Sequence, residues 1–186
     1  MKNKNDIHPE SRYFDSVISG FAFAYGNLAM MVNWFGFASM CEVLGISKVK
    51  GKVDVTNVPA GQYGEGVSLN AYWMYVVGKG CTQKEWAYNF IKYAVNPQND
   101  KLLTLEGGIG CRKSTWDDPE VNTTVPYYHK LEKLHKNTRS LPRKNNWSEI
   151  ANVIDQLVLE VIDTSDDIKT ILNEAQIKID TLENKN

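Results

Sequence analysis

"FAFAYGNLAMMVNWFGFASM", residues 21–40, runs for twenty residues without a charge, and no group ionised at neutral pH lies between Asp15 and Glu42. On length alone such a stretch could span a bilayer. Its interior argues otherwise. Ser19, Asn27, Asn33 and Ser39 are spread through it, Gly20, Gly26 and Gly36 interrupt it, and no Lys/Arg cluster flanks one side. Before Gly26, the residues Phe14, Val17, Ile18, Phe21 and Tyr25 recur at helical spacing, whereas "LAMMVNW" after "YGN" is an apolar run of strand length. The pattern predicts a helix, a Gly-Asn stop and a buried strand within residues 16–41, as part of a core.

The composition agrees with a core. The chain has 186 residues, 42% hydrophobic and 23% charged, enough for one domain or a large part of a two-lobed one. A formal net charge of −1 and the absence of a Lys/Arg stripe give no field to hold a polyanion, which argues against nucleic acid. Aromatics, at 11%, are the enriched class and suit both core packing and the apolar faces of ligands. Cys41, Cys81 and Cys111 have neither metal-binding nor redox spacing, and an odd count leaves one thiol outside any disulfide framework. "MKNKNDIHPES" is not followed by an apolar run, so no secretory signal is read in this chain.

Outward from the opening stretch, "GKVDVTNVP" (51–59) alternates toward a strand and "AGQYGEG" reads as loop. "VSLNAYWMYVV" (67–77) reads as a second strand. Thr82 and Glu85 have capping-box spacing, and Trp86, Ala87, Phe90, Ile91 and Ala94 share one face of the helix behind them, which ends before Pro97. Residues 105–122 read as a loop too long to be idle, and 127–136 as a short helix broken by "SLPRKN". Apolar residues at 147, 150, 151, 154, 157, 158, 161 and 162 predict a strong amphipathic helix, and Ile168, Ile171, Leu172, Ala175 and Ile179 a last one. Strands mixed with helices of this length give an α/β class.

Signals for catalysis are sparse. Three Cys and His8, His129 and His135 are formally available as nucleophile and base, but no nucleophile elbow, Cys-protease signature, GxGxxG or P-loop is present. His129 and His135 are six apart, on different sides of one helix, and cannot chelate together. No metal or cofactor is implied. Binding has more candidates. Trp34 stands where a strand meets a loop, with core packing as its alternative. Asn70 and Tyr72 share one face of a strand, and Asn is disfavoured in strand interiors unless exposed or bonded to a ligand. Arg112, in a glycine-rich loop, offers a fork for carboxylates or sugar hydroxyls, or a salt bridge with Asp117 or Asp118. Trp147 opens a helix as a further ring or as a core cap.

Taken in order, "GFAFAYGNLAMMVNW", "GKVDVTNVPAG", "SLNAYWMYVVGKGCTQKEWAYNFIKYAVNPQNDKLLTLEGGI" and "CRKSTWDDPEV" resemble the C-terminal half of extracellular solute-binding proteins of family 1, the maltose-binding-protein-like components of ABC importers. The likeness runs from about Phe14 to the last helix and rests on the order of the motifs. It implies a partial type II periplasmic-binding-protein fold. Residues 1–64 and 119–186 would belong to the C-terminal lobe, and 65–118 would cross over into the N-terminal lobe. It implies non-catalytic binding of a sugar or polyol for ABC permease subunits, in the periplasm or at the cell surface for a full-length parent. This chain would then be a C-terminal fragment. Trp34 takes the position of the family's sugar-stacking Trp, the family's Gly-Gly falls on Asn70 to Tyr72, and "GCR" keeps the Arg but not the Pro of Pro-x-Arg. Two other classes stay open: an α/β hydrolase-like enzyme using Cys111 or a carboxylate, and a single-lobe structural module in which Trp34 and Tyr72 are fully buried.

Overall fold

A computed structural model describes residues 6–62 and 64–184. The chain divides into two compact units, one of Glu10–Ser140 and one joining Leu141–Asn186 with Met1–Pro9.

In the larger unit, helix α1 (Ser16–Ala24) starts where the Asp15 carboxylate accepts the Ile18 N–H at 2.7 Å. It stops at Gly26, whose φ of 81° is open to glycine without strain. That much follows the sequence reading; the expected strand does not. Residues 27–34 lie outside any helix or ladder, with a bend at Ala29. Asn33 takes over their fixing, its Nδ2 donating to the Ser16 carbonyl (2.8 Å) and to Ser19 Oγ (3.0 Å) while its Oδ1 accepts the Trp34 N–H (2.8 Å). A second helix, α2 (Phe35–Val43), follows directly. The long uncharged stretch is therefore two short helices and a linker, and no helix among the described residues is long and apolar enough to cross a membrane.

Strands fare alike further on. Residues 53–60 form no ladder, and of 67–77 only β1 (Ser68–Leu69) pairs, in parallel, with β2 (Thr138–Arg139), which the sequence reading did not foresee. The intervening chain supplies α3 (Lys84–Ala94), α4 (Pro97–Leu105), α5 (Lys113–Trp116), α6 (Pro119–Thr124) and α7 (Leu131–His135). The Thr82/Glu85 capping box is not formed: Gln83 is the N-cap of α3 and no side chain caps it. The stretch 105–122 is not simply a loop, since α5 and α6 lie in it. Asn96 before Pro97 and Asp118 before Pro119 each cap the following helix, Asn96 Oδ1 accepting the Asn99 N–H at 2.8 Å and Asp118 Oδ1 the Glu120 N–H at 2.9 Å.

The core gathers Ala38, Trp116, Val121, Val125, Tyr127, Tyr128 and Leu131. Phe35 meets Tyr127 and Tyr128 edge-on, with centroids 5.9 and 5.1 Å away, and the Tyr127 hydroxyl donates to the Ala38 carbonyl inside α2. Burial, with Glu42 nearby, holds the Tyr127 phenol well above its usual range, so it stays a donor.

The smaller unit is the hairpin of α8 (Trp147–Asp163) and α9 (Ile168–Glu183), both as their periodicity predicts. Ile150, Ile171 and Ala175 are its buried residues, Asp167 caps α9, and an ion pair between Lys144 and Glu183 ties its open end.

Two rings separate core from surface. Tyr127 is 2% exposed and Trp73, in the segment read as a second strand, is 103% exposed. Tyr127→Ala is expected to cost about 3–5 kcal/mol, and Trp73→Ala less than about 0.5 kcal/mol. Urea unfolding of the two variants checks this; equal losses would show that the 70–77 segment packs into the same core.

Candidate functional site

Gly110 is the point from which the candidate site is built. Its N–H donates to the Tyr128 hydroxyl (3.0 Å) and its carbonyl accepts the Trp116 indole N–H (2.7 Å), so both peptide groups are locked onto core rings. A Cβ here would lie 2.4 Å from Thr104 Oγ1, which is why the loop needs glycine. Beside it, Asp100 accepts the Cys111 N–H on Oδ1 (2.9 Å), and the Arg112 N–H (3.3 Å) and the Thr115 hydroxyl (2.5 Å) on Oδ2. These bonds position Arg112 at the N-cap of α5 and Trp116 at its end.

Trp116, 8% exposed, carries the next layer. His135, at the end of α7, lies nearly parallel to its indole at 17° with centroids 5.1 Å apart, and to the Tyr72 ring at 19° and 6.3 Å. The ladder brings Tyr72 there: Ser68 N–H donates to the Asn137 carbonyl (3.0 Å) and Asn70 N–H to the Arg139 carbonyl (2.8 Å). Asn70 is half-buried, and Tyr72 stays 57% exposed.

Three of the five candidate residues therefore sit in one connected neighbourhood: Asn70 and Tyr72 through the ladder and the ring stack, Arg112 through α5. The Arg112 fork does not pair with Asp117 or Asp118. Its Nε (3.2 Å) and Nη2 (2.5 Å) both donate to the Val95 carbonyl at the end of α3, while Asp118 pairs with Lys101 at 2.9 Å. Lys101 holds the Asp118 carboxyl below its usual range. Trp34 is the N-cap residue of α2, 42% exposed, next to Phe35 of the core; its indole forms no ring pair among the described residues. Trp147 begins α8 in the other unit, where its N–H donates to the Lys144 carbonyl at 3.2 Å, and it is half-buried there. Trp116 escaped the sequence reading, and His135 was weighed there only as a base or metal ligand, not as a stacking ring. The signal for Trp116 was the Asp118-Pro119 helix start, which makes "KSTW" the element before it.

Cys41 and Cys111 are poorly suited to nucleophilic work. Burial and the neighbouring Asp100 push Cys111 up, and burial with Glu42 pushes Cys41 up to about 11, the opposite of what a reactive thiolate needs. Among the described residues no group of His, Cys, Asp and Glu could hold a metal ion.

Comparison with known proteins places the fold. The solved structure of maltose-bound MalE3 from T. maritima superposes with a TM-score of 0.76 at 22% identity, over 91% of this chain and 44% of that one. The chain therefore has a periplasmic-binding-protein fold and spans less than half the length of that neighbour. No protein-family model and no curated protein matches the sequence.

Arg112→Ala removes two donors from the Val95 carbonyl, and the last turn of α3 should loosen. Amide exchange of α3 is expected to speed up by about fivefold to tenfold, matching about 1 kcal/mol for a charge-assisted bond at an exposed site. The helices around Tyr127 should keep their protection.

Proposed function

We propose that the chain is the C-terminal part of a solute-binding component of an ABC importer, and that its solute is a sugar or related polyol. The observation that supports this reading most is the fold, shared over nearly the whole chain with a protein solved with maltose bound. The exposure of Trp34 and Tyr72, on backbone fixed by Asn33 and by the ladder, supports it further: rings held half in water are what stacking on the apolar face of a sugar requires. A single-lobe structural module would instead have them buried.

In this proposal residues 1–64 and 119–186 belong to one lobe and 65–118 to a second, with the solute held between them by closure and no bond chemistry. Trp34 and Tyr72 supply rings, and Asn70 and Arg112 supply polar contacts. The uncovered side chains of Trp73, Met74, Tyr75, Trp86 and Phe90 fit that division, because so much apolar surface is uncommon on a finished fold. Work at the periplasmic or cell-surface side, delivering solute to membrane permease subunits, completes the reading.

Calorimetric titration with a panel of mono- and oligosaccharides tests it. Trp34→Ala is expected to weaken the cognate sugar by about 1–2 kcal/mol, the worth of an aromatic face beyond its buried area. Unchanged affinity would assign Trp34 to packing alone, and no heat with any sugar would overturn the carbohydrate reading.

A further inference from the structure

The even overall charge conceals one local run. "KLHKNTRSLPRK", residues 133–144, holds five Lys or Arg and no acid in a chain of net charge −1. The expectation that no basic run interrupts the sequence does not hold there. The ladder brings part of this run to the candidate site: Arg139 is in register with Leu69, Asn70 bonds the Arg139 carbonyl, and Lys136 follows the His135 on which Tyr72 stacks.

Lys133, Lys136 and Arg139 are exposed, and none has a carboxylate at ion-pair distance among the described residues. Glu132, whose carboxylate Lys136 also stabilises from beyond ion-pair distance, pairs with Lys113 at 2.8 Å, and Asp54 pairs with Lys130. One Nη of Arg139 donates to the Thr138 carbonyl at 3.0 Å, which anchors one corner of the fork and leaves its other donors for a ligand. Exposed cations on the elements that pair and stack with the Tyr72 segment make two demands of a ligand, an apolar face for Tyr72 and a negative group.

We infer that the solute is an acidic oligosaccharide, whose ring lies on Tyr72 while a carboxylate of its uronic acid units meets Arg139 and Lys136. This rests on the sugar-binding reading above and narrows its substrate class.

The test is a titration of the full chain, isotope-labelled and followed by amide shifts, with trigalacturonate and with neutral maltotriose as probes. Trigalacturonate is expected to bind the tighter, to move the signals of 70–72 and 135–139, and to weaken as salt is raised. Arg139→Gln and Lys136→Gln should each weaken it about tenfold, in line with a charge-assisted bond, and Lys84→Gln, an exposed cation on α3, should not. The variants' own spectra report whether they fold. Maltotriose binding as tightly as trigalacturonate would overturn this inference and leave the sugar-binding reading standing. Binding of neither would overturn both. Equal weakening by Lys84→Gln would reduce the effect to diffuse charge and overturn the assignment.

Discussion

Every element of the candidate site hangs from the two hydrogen bonds of Gly110. The Tyr128 hydroxyl takes its N–H and the Trp116 indole gives to its carbonyl, both away from water. In so dry a place an unpaired peptide group would cost about 1–3 kcal/mol, so the loop has few ways to lie. Once it lies this way, Asp100 holds the start of α5, Trp116 becomes a fixed floor, and His135 and Tyr72 stack above it in turn. The core supplies rigidity and the surface ring inherits it. That inheritance separates Tyr72 from a merely exposed ring: Trp73, one residue on, has no stacking partner among the described residues and is fully open to water.

How far the sequence foretold this depends on the range of the interaction. Helices α1, α8 and α9 were legible because their signals are local, namely a cap, an apolar spacing of three to four and a glycine stop. Helices α4 and α6 carried equally local signals, Asn96-Pro97 and Asp118-Pro119, that a reading focused on glycines passed over. Strands failed because alternation records only a preference for extended backbone. Residues 27–34 carry an apolar run of strand length, yet they bend at Ala29 and Asn33 fixes them onto α1 without a ladder partner. Whether a strand pairs is decided by a chain segment far away, as β1 is by β2 some seventy residues on. Among site residues, Tyr72 and Arg112 stood out by type and context. His135 did not, because a histidine acquires its role here from rings distant in sequence.

The apolar surface of 72–77 and α3 follows the same logic at larger scale. Residues 72–77 join no ladder among the described residues and expose apolar side chains, and a strand-like segment left without a ladder is a template for another strand. In α3 the predicted apolar face exists as a helix face, yet Trp86 and Phe90 on it remain exposed, so the periodicity was read correctly while burial did not follow from it.

Arg112 shows how such an arrangement moves a residue from one role toward another. Its fork is engaged by the Val95 carbonyl, which ties α5, and through it the Trp116 floor, to the end of the uncovered helix α3. A carbonyl is a weaker partner than a carboxylate, so a ligand anion could displace it at modest cost. The same side chain would then release α3 from the loop as it bound. Asp117 and Asp118, the partners its sequence context suggested, would have prevented this, since an ion pair there would have bound Arg112 within its own loop. Asp118 pairing with Lys101 instead keeps the acid away from the fork.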